Sequence, residues 1–197
     1  ENVASAGNYR YDHETTTPYR YDVFLDDHGV ALTFVPAARA GLFDLTYEQG
    51  GERYVVLSTC AKGELNHSGN ILSGYEDFRG TKHYFYLVFD CMPTEIKAIP
   101  TNGGRQRLAV HFGDKTKNVR VRYGISYIGV EQAQRNLEKE IKDFRTKPLI
   151  ERARQAWNQA LGKIQIKGGT EDEKVVFYTA LYRSHERMIN ISEDGKY

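Results

Sequence analysis

The chain has 197 residues, enough for one domain with a full hydrophobic core or one domain plus part of another. Its 27 Lys and Arg balance 26 Asp and Glu, so no long-range field favours nucleic acid or an anionic membrane surface as a partner. No apolar run reaches transmembrane length, and Cys60 and Cys91 fit no zinc spacing, leaving either one disulfide or two free thiols.

Along the chain, the first two thirds read as strands. "YRYDVFLDDHGVALTFVPAARAGLFDLTYEQGG" holds alternating runs broken by turn chemistry at Asp27-His28-Gly29 and Gln49-Gly50-Gly51. "ERYVVLSTC" follows, then a polar, Gly-rich stretch from Lys62 to Gly74. "HYFYLVFDC" is a continuous aromatic-rich run, as expected of a strand covered on both faces. "RLAVHFG" and "NVRVRYGISYI" complete the set, with turns at Asn102-Gly103-Gly104 and Gly113-Asp114-Lys115. Short strands without helical runs between them predict an antiparallel sandwich. The 14 tyrosines suit strand surfaces and sugar-binding faces alike, because the ring is apolar and its tip polar.

Near Gly129 the period changes. Val130, Ala133, Leu137, Ile141 and Phe144 recur at helical spacing, predicting a helix to about Phe144. Pro148 suits the first turn of a second helix, which carries Leu149, Ala153, Trp157 and Leu161 and stops at Gly162. After the extended "KIQIKGG", Thr170 and Glu173 form a capping box for a third helix. Val175, Val176, Phe177, Tyr178, Ala180, Leu181 and Tyr182 make that helix apolar on several sides, a pattern suited to burial on more than one side.

Local motifs supply little chemistry. His13-Glu14 lacks a second histidine one turn on, and Asn102-Gly103-Gly104-Arg105 lacks the Gly-Lys-Ser/Thr ending of a phosphate loop. Glu193-Asp194-Gly195 is an acidic turn far short of an EF-hand ligand list. Glu131, Glu138, Glu140 and Asp143 alternate with Arg135, Lys139 and Lys142, as on a solvated helix face.

Two stretches carry a resemblance. Gly124-Ile125-Ser126-Tyr127-Ile128, Val130-Glu131-Gln132-Ala133 and Asn136-Leu137 form the first. Trp157-Asn158, Ala160-Leu161, Gly168-Gly169-Thr170-Glu171 and Phe177-Tyr178-Thr179-Ala180-Leu181-Tyr182 form the second. Together they resemble glycoside hydrolase family 92, bacterial exo-acting α-mannosidases that are often α-1,2-specific; "PYRYDVFLDDHGVALTFVPAARAGLF" is similar to a sandwich hairpin there. Where many members read Leu-Tyr-His-Ser, this chain has Leu181-Tyr182-Arg183-Ser184, which suggests a different subgroup.

The resemblance implies a mainly β chain with C-terminal helices. Residues 1–129 would be part of an N-terminal antiparallel β-sandwich, incomplete at its start, residues 130–163 linker helices, and residues 164–197 the start of a catalytic (α/α)6 barrel. It implies calcium-dependent hydrolysis of terminal α-mannosides with inversion. The acid, the base and the calcium ligands are expected outside this chain, so it holds no catalytic or metal residue and is inactive alone. Its partners would be a mannose-containing glycan and the remainder of its own catalytic domain, at a periplasmic, secreted or cell-surface location. Asp194 and Tyr197, on the turn after the first barrel helix, are candidates to line the substrate cleft. The alternative is a non-catalytic β-sandwich that binds carbohydrate or protein.

Overall fold

The computed structural model describes residues 13–185 and 191–195. Eleven strands precede three helices in these residues. They are β1 (Glu14–Thr17), β2 (Arg20–Leu25), β3 (Val30–Pro36), β4 (Ala40–Tyr47), β5 (Arg53–Ser58) and β6 (Lys62–Ser68). The strands continue with β7 (Ile71–Phe78), β8 (Thr81–Phe89), β9 (Glu95–Ala98), β10 (Arg107–Phe112) and β11 (Asn118–Ser126). The helices are α1 (Val130–Glu140), α2 (Thr146–Leu161) and α3 (Glu171–Ser184). An eight-stranded antiparallel sheet in the order β1-β2-β3-β4-β11-β8-β7-β6 faces a three-stranded one, β5-β10-β9. This is the predicted sandwich followed by helices.

The alternation of side chains along each strand divides the core in two. Leu72, Phe89, Val119 and Val121 of the large sheet meet Val110 and Phe112 of the small one, with the Phe89 and Phe112 rings 5.2 Å apart. On the opposite face Val35, Ala40 and Leu42 pack against Leu137 and Ile141, and against Leu149 of α2. The continuous apolar run of β8 follows from this double cover: Leu87 and Phe89 serve the first cluster, Tyr86 and Val88 the second.

Two expectations need correction. Lys62–Gly74, expected only as a polar, Gly-rich stretch, forms β6 and the first half of β7, joined by a two-residue Gly69-Asn70 turn with Ser68 opposite Ile71. Gly69 takes φ +57°, the left-handed conformation such hairpins demand. β6 is an edge strand whose sole large apolar residue is Leu65, so it shows almost no hydrophobic period. The first helix ends at Glu140 rather than near Phe144. The Asp143 carboxylate accepts the Arg145 N–H at 2.9 Å, a local turn that competes with the helix. Ile141 and Phe144 still reach the core, and the Arg122 guanidinium, 5.1 Å from the Phe144 ring, donates to the Ile141 carbonyl at 2.8 Å.

The third helix, α3, starts as predicted. Both halves of its capping box form: the Glu173 N–H donates to Thr170 Oγ1 at 3.2 Å, and the Thr170 N–H to Glu173 Oε2 at 2.7 Å. Yet no residue of α3 is buried, and Val175 and Val176 are 64% and 68% exposed. The helix touches α2 through Trp157, whose ring meets Tyr182 edge-on at 4.9 Å. Phe177, Tyr178 and Leu181 are half-buried, whereas Val175 and Val176 face outward. Cys60 and Cys91 are both free thiols.

Candidate functional site

At the helix side of the sandwich, the β7–β8 hairpin, the end of β11 and the segment before Glu193 enclose an open cleft of about 690 Å³. Gly80, Thr81, Lys82, Tyr84, Tyr127, Ile128 and Ile191 line it. The hairpin is closed by Arg79 and Gly80, both at positive φ, with the Gly80 N–H donating to Asp77 Oδ1 at 3.0 Å. Strand alternation puts Lys82 and Tyr84 on the same face as Tyr86, which packs beside α1. Lys82 Nζ lies 4.4 Å above the Tyr75 ring, and Tyr75 is 5.8 Å from Tyr84. Tyr127 meets His83 edge-on at 5.2 Å, with the Arg39 guanidinium 5.6 Å from its ring. Aromatic faces beside hydrogen-bonding tips and a cation give a surface that can stack on a sugar ring and bond its hydroxyls.

Behind the cleft sits a buried polar hub. Glu193 is 6% exposed. Its Oε2 accepts the Ser126 hydroxyl at 2.9 Å and the Tyr127 N–H at 3.1 Å, while Oε1 accepts from Asn136 Nδ2. The Asn136 amide also donates to the Ile125 carbonyl at 2.8 Å and accepts from Gln132 Nε2 at 3.0 Å. Arg135 Nε in turn donates to Gln132 Oε1 at 3.0 Å. The Ser126 hydroxyl accepts the Ile128 N–H at 2.9 Å. A buried carboxylate without such donors would be strongly unfavourable, and here both of its oxygens are occupied.

Of the two residues predicted to line the site, Asp194 is exposed on a turn at φ +50°, immediately beyond Glu193. It is not one of the residues lining the cleft; Ile191 is. Tyr197 lies outside the described residues. Among the described residues no group of three or more His, Cys, Asp or Glu side chains is placed to hold a metal ion. No helix among them is long and apolar enough to cross a membrane.

A family model described as the glycosyl hydrolase family 92 N-terminal domain matches residues 1–126, well over half of the chain. The chain belongs to glycosyl hydrolase family 92. The family's catalytic-domain model matches residues 132–197, so the cleft lies where the two matches meet. Among solved structures, the fold is similar to the family GH92 inverting mannosidase BT2199 from Bacteroides thetaiotaomicron VPI-5482. That likeness has a TM-score of 0.82 at 22% identity, over 89% of this chain and 27% of that one. The family GH92 α-mannosidase BT3965 from Bacteroides thetaiotaomicron gives a TM-score of 0.83 at 22% identity, over 94% of this chain and 29% of that one. This chain therefore spans less than a third of the length of these family 92 structures. No curated protein sequence matches it significantly.

The family 92 motifs recognised in the sequence are the ones that build the hub: Ser126 in Gly-Ile-Ser-Tyr, Gln132 in Val-Glu-Gln-Ala, and Asn136 in Asn-Leu. Glu193, the residue they surround, was missed. One signal pointed to it. Gln132 and Asn136 stand one turn apart beside Ala133 and Leu137 on the buried face of α1, and buried amides there require a partner.

Proposed function

We propose that the chain is the sandwich side of a calcium-dependent, inverting exo-α-mannosidase, α-1,2-preferring, that removes terminal mannose from glycans outside the cytoplasm. What supports this most directly is that the family's N-terminal and catalytic-domain models match consecutively and meet at the aromatic cleft. The exposed Val175 and Val176 of α3 agree with that reading, since they offer an apolar face for further helices of a barrel. Inversion needs a carboxylic acid to protonate the leaving oxygen and a carboxylate to activate water on the opposite face, roughly 6.5–9.5 Å apart. Neither role falls to a described residue. The chain's own part is to bind: Tyr84 and Tyr127 offer ring faces, and Lys82 a hydrogen-bond donor for a hydroxyl. A bound calcium ion would hold sugar hydroxyls through oxygen ligands supplied from outside this chain.

The test is hydrolysis of α-1,2-mannobiose by the full-length protein, followed by NMR of the released sugar. Mannose should appear first as the β-anomer, a chelator should abolish the rate, and the 197-residue chain alone should be inactive. Failure of the full-length protein on every α-mannoside would overturn the reading.

A further inference from the structure

The hub behind the cleft has a role beyond filling space. Tyr127, Ile128 and Ile191 all line the cleft, although Ile191 lies more than 60 positions further along the chain. Glu193, two residues after Ile191, accepts the Tyr127 N–H directly, and it holds the Ser126 hydroxyl that in turn accepts the Ile128 N–H. We propose that Glu193 is a positioning residue that shapes the cleft by tying the segment that carries Ile191 to the segment that carries Tyr127 and Ile128.

The donor pattern makes the requirement specific for a carboxylate. The Asn136 amide is fully used: Nδ2 donates to Ile125 and Glu193, and Oδ1 accepts from Gln132. The Tyr127 N–H can only donate, and the Ser126 hydroxyl, which accepts from Ile128, must donate its single hydrogen to Glu193. Both carboxylate oxygens therefore face donors. A glutamine there would set its own amide hydrogens against Asn136 Nδ2 or against Tyr127 and Ser126. A second clasp lies alongside, where Arg39 Nη2 donates to the Ser192 carbonyl at 3.2 Å. The backbone N–H of Arg39 is itself held by the Glu140 carboxylate at 2.9 and 3.1 Å. The segment entering the turn at Asp194 is thus gripped at two successive residues.

This inference rests on the cleft being part of the sugar site, and its test separates the two. In the full-length protein, Glu193→Gln keeps the side-chain volume and should lower the thermal midpoint by only a few degrees, leaving the protein folded at assay temperature. KM for α-1,2-mannobiose should rise about tenfold and kcat change less than about twofold, as expected when binding rather than chemistry is lost. Ser126→Ala should act in the same direction, and the double variant should fall short of the summed effects. Amide exchange at Tyr127 and Ile128 reads the tie without substrate and should speed up about tenfold in Glu193→Gln. Unchanged exchange at both amides, or an unchanged KM in an active protein, overturns the proposal. Faster exchange in a protein that cleaves no α-mannoside supports the tie and sinks the functional reading instead.

Discussion

Cys60 and Cys91 are both free, but their surroundings differ. Cys60 is exposed, whereas Cys91 is half-buried at the end of β8. Burial, reinforced by the neighbouring Asp90 carboxylate, pushes the Cys91 thiol up to about 11. At pH 8 only about a thousandth of it is thiolate, the reactive form. Iodoacetamide at that pH should therefore label Cys60 and leave Cys91 almost untouched, which peptide mass spectrometry reads directly. Equal labelling would show that the loop after β8 opens. The linkage has a definite sign: the folded value is raised from 9.0, so the contribution is complete below that value and fades as the pH climbs to about 11. At the same scale, the sequence pointed to Asp194 for its place on the turn after the first barrel helix, and the structure makes its buried neighbour Glu193 the central group of the hub. A residue's own identity does not reveal burial; the amides of Gln132 and Asn136 on the apolar face of α1, which need hydrogen-bond partners there, do.

Between elements, α1 rides closely on β11. Gly124 lies where a Cβ would fall well inside van der Waals contact distance of the Ala133 carbonyl oxygen and 2.9 Å from Leu137 Cβ. Gly124→Ala must lift the helix off the strand. The expected cost is about 3 kcal/mol, measured as a shift in the denaturant midpoint with the slope unchanged. A loss below about 0.5 kcal/mol would mean that α1 repacks freely. Elements of this kind were legible in the sequence because they carry strong periods: β8 and β11 in alternation, α1 and α2 at helical spacing, α3 by its capping box. Weak-period elements were not. β6 has Leu65 alone to mark its inner face, and the end of α1 was set by the Asp143 side chain rather than by the apolar spacing that continues to Phe144. The hydrophobic pattern reports which residues are buried, not which backbone carries them there.

Across the whole molecule, order should fall off along the helices. α1 buries Gln132, Ala133, Asn136 and Leu137, α2 buries Leu149, and α3 buries none. Hydrogen exchange on the isolated 197-residue chain should rank the helices in that sequence, slowest in α1 and fastest in α3. In the full-length protein α3 should become as protected as α1. Protection of α3 unchanged between the two would argue against a helical domain covering Val175 and Val176. The imbalance between an eight-stranded and a three-stranded sheet has a similar reading, since a strand on either side of β5-β10-β9 would extend its cover of the large sheet.

Ser126 and Glu193 stand 67 positions apart in the chain and share one hydrogen bond. The helical excursion therefore begins and ends side by side, like a cassette whose two stems are fused at the base. Its outer connector carries Gly168 and Gly169 at φ +81° and +72°, with open space around Gly168. Length can be gained or lost there without moving either stem, so variation in the helices need not reach the cleft.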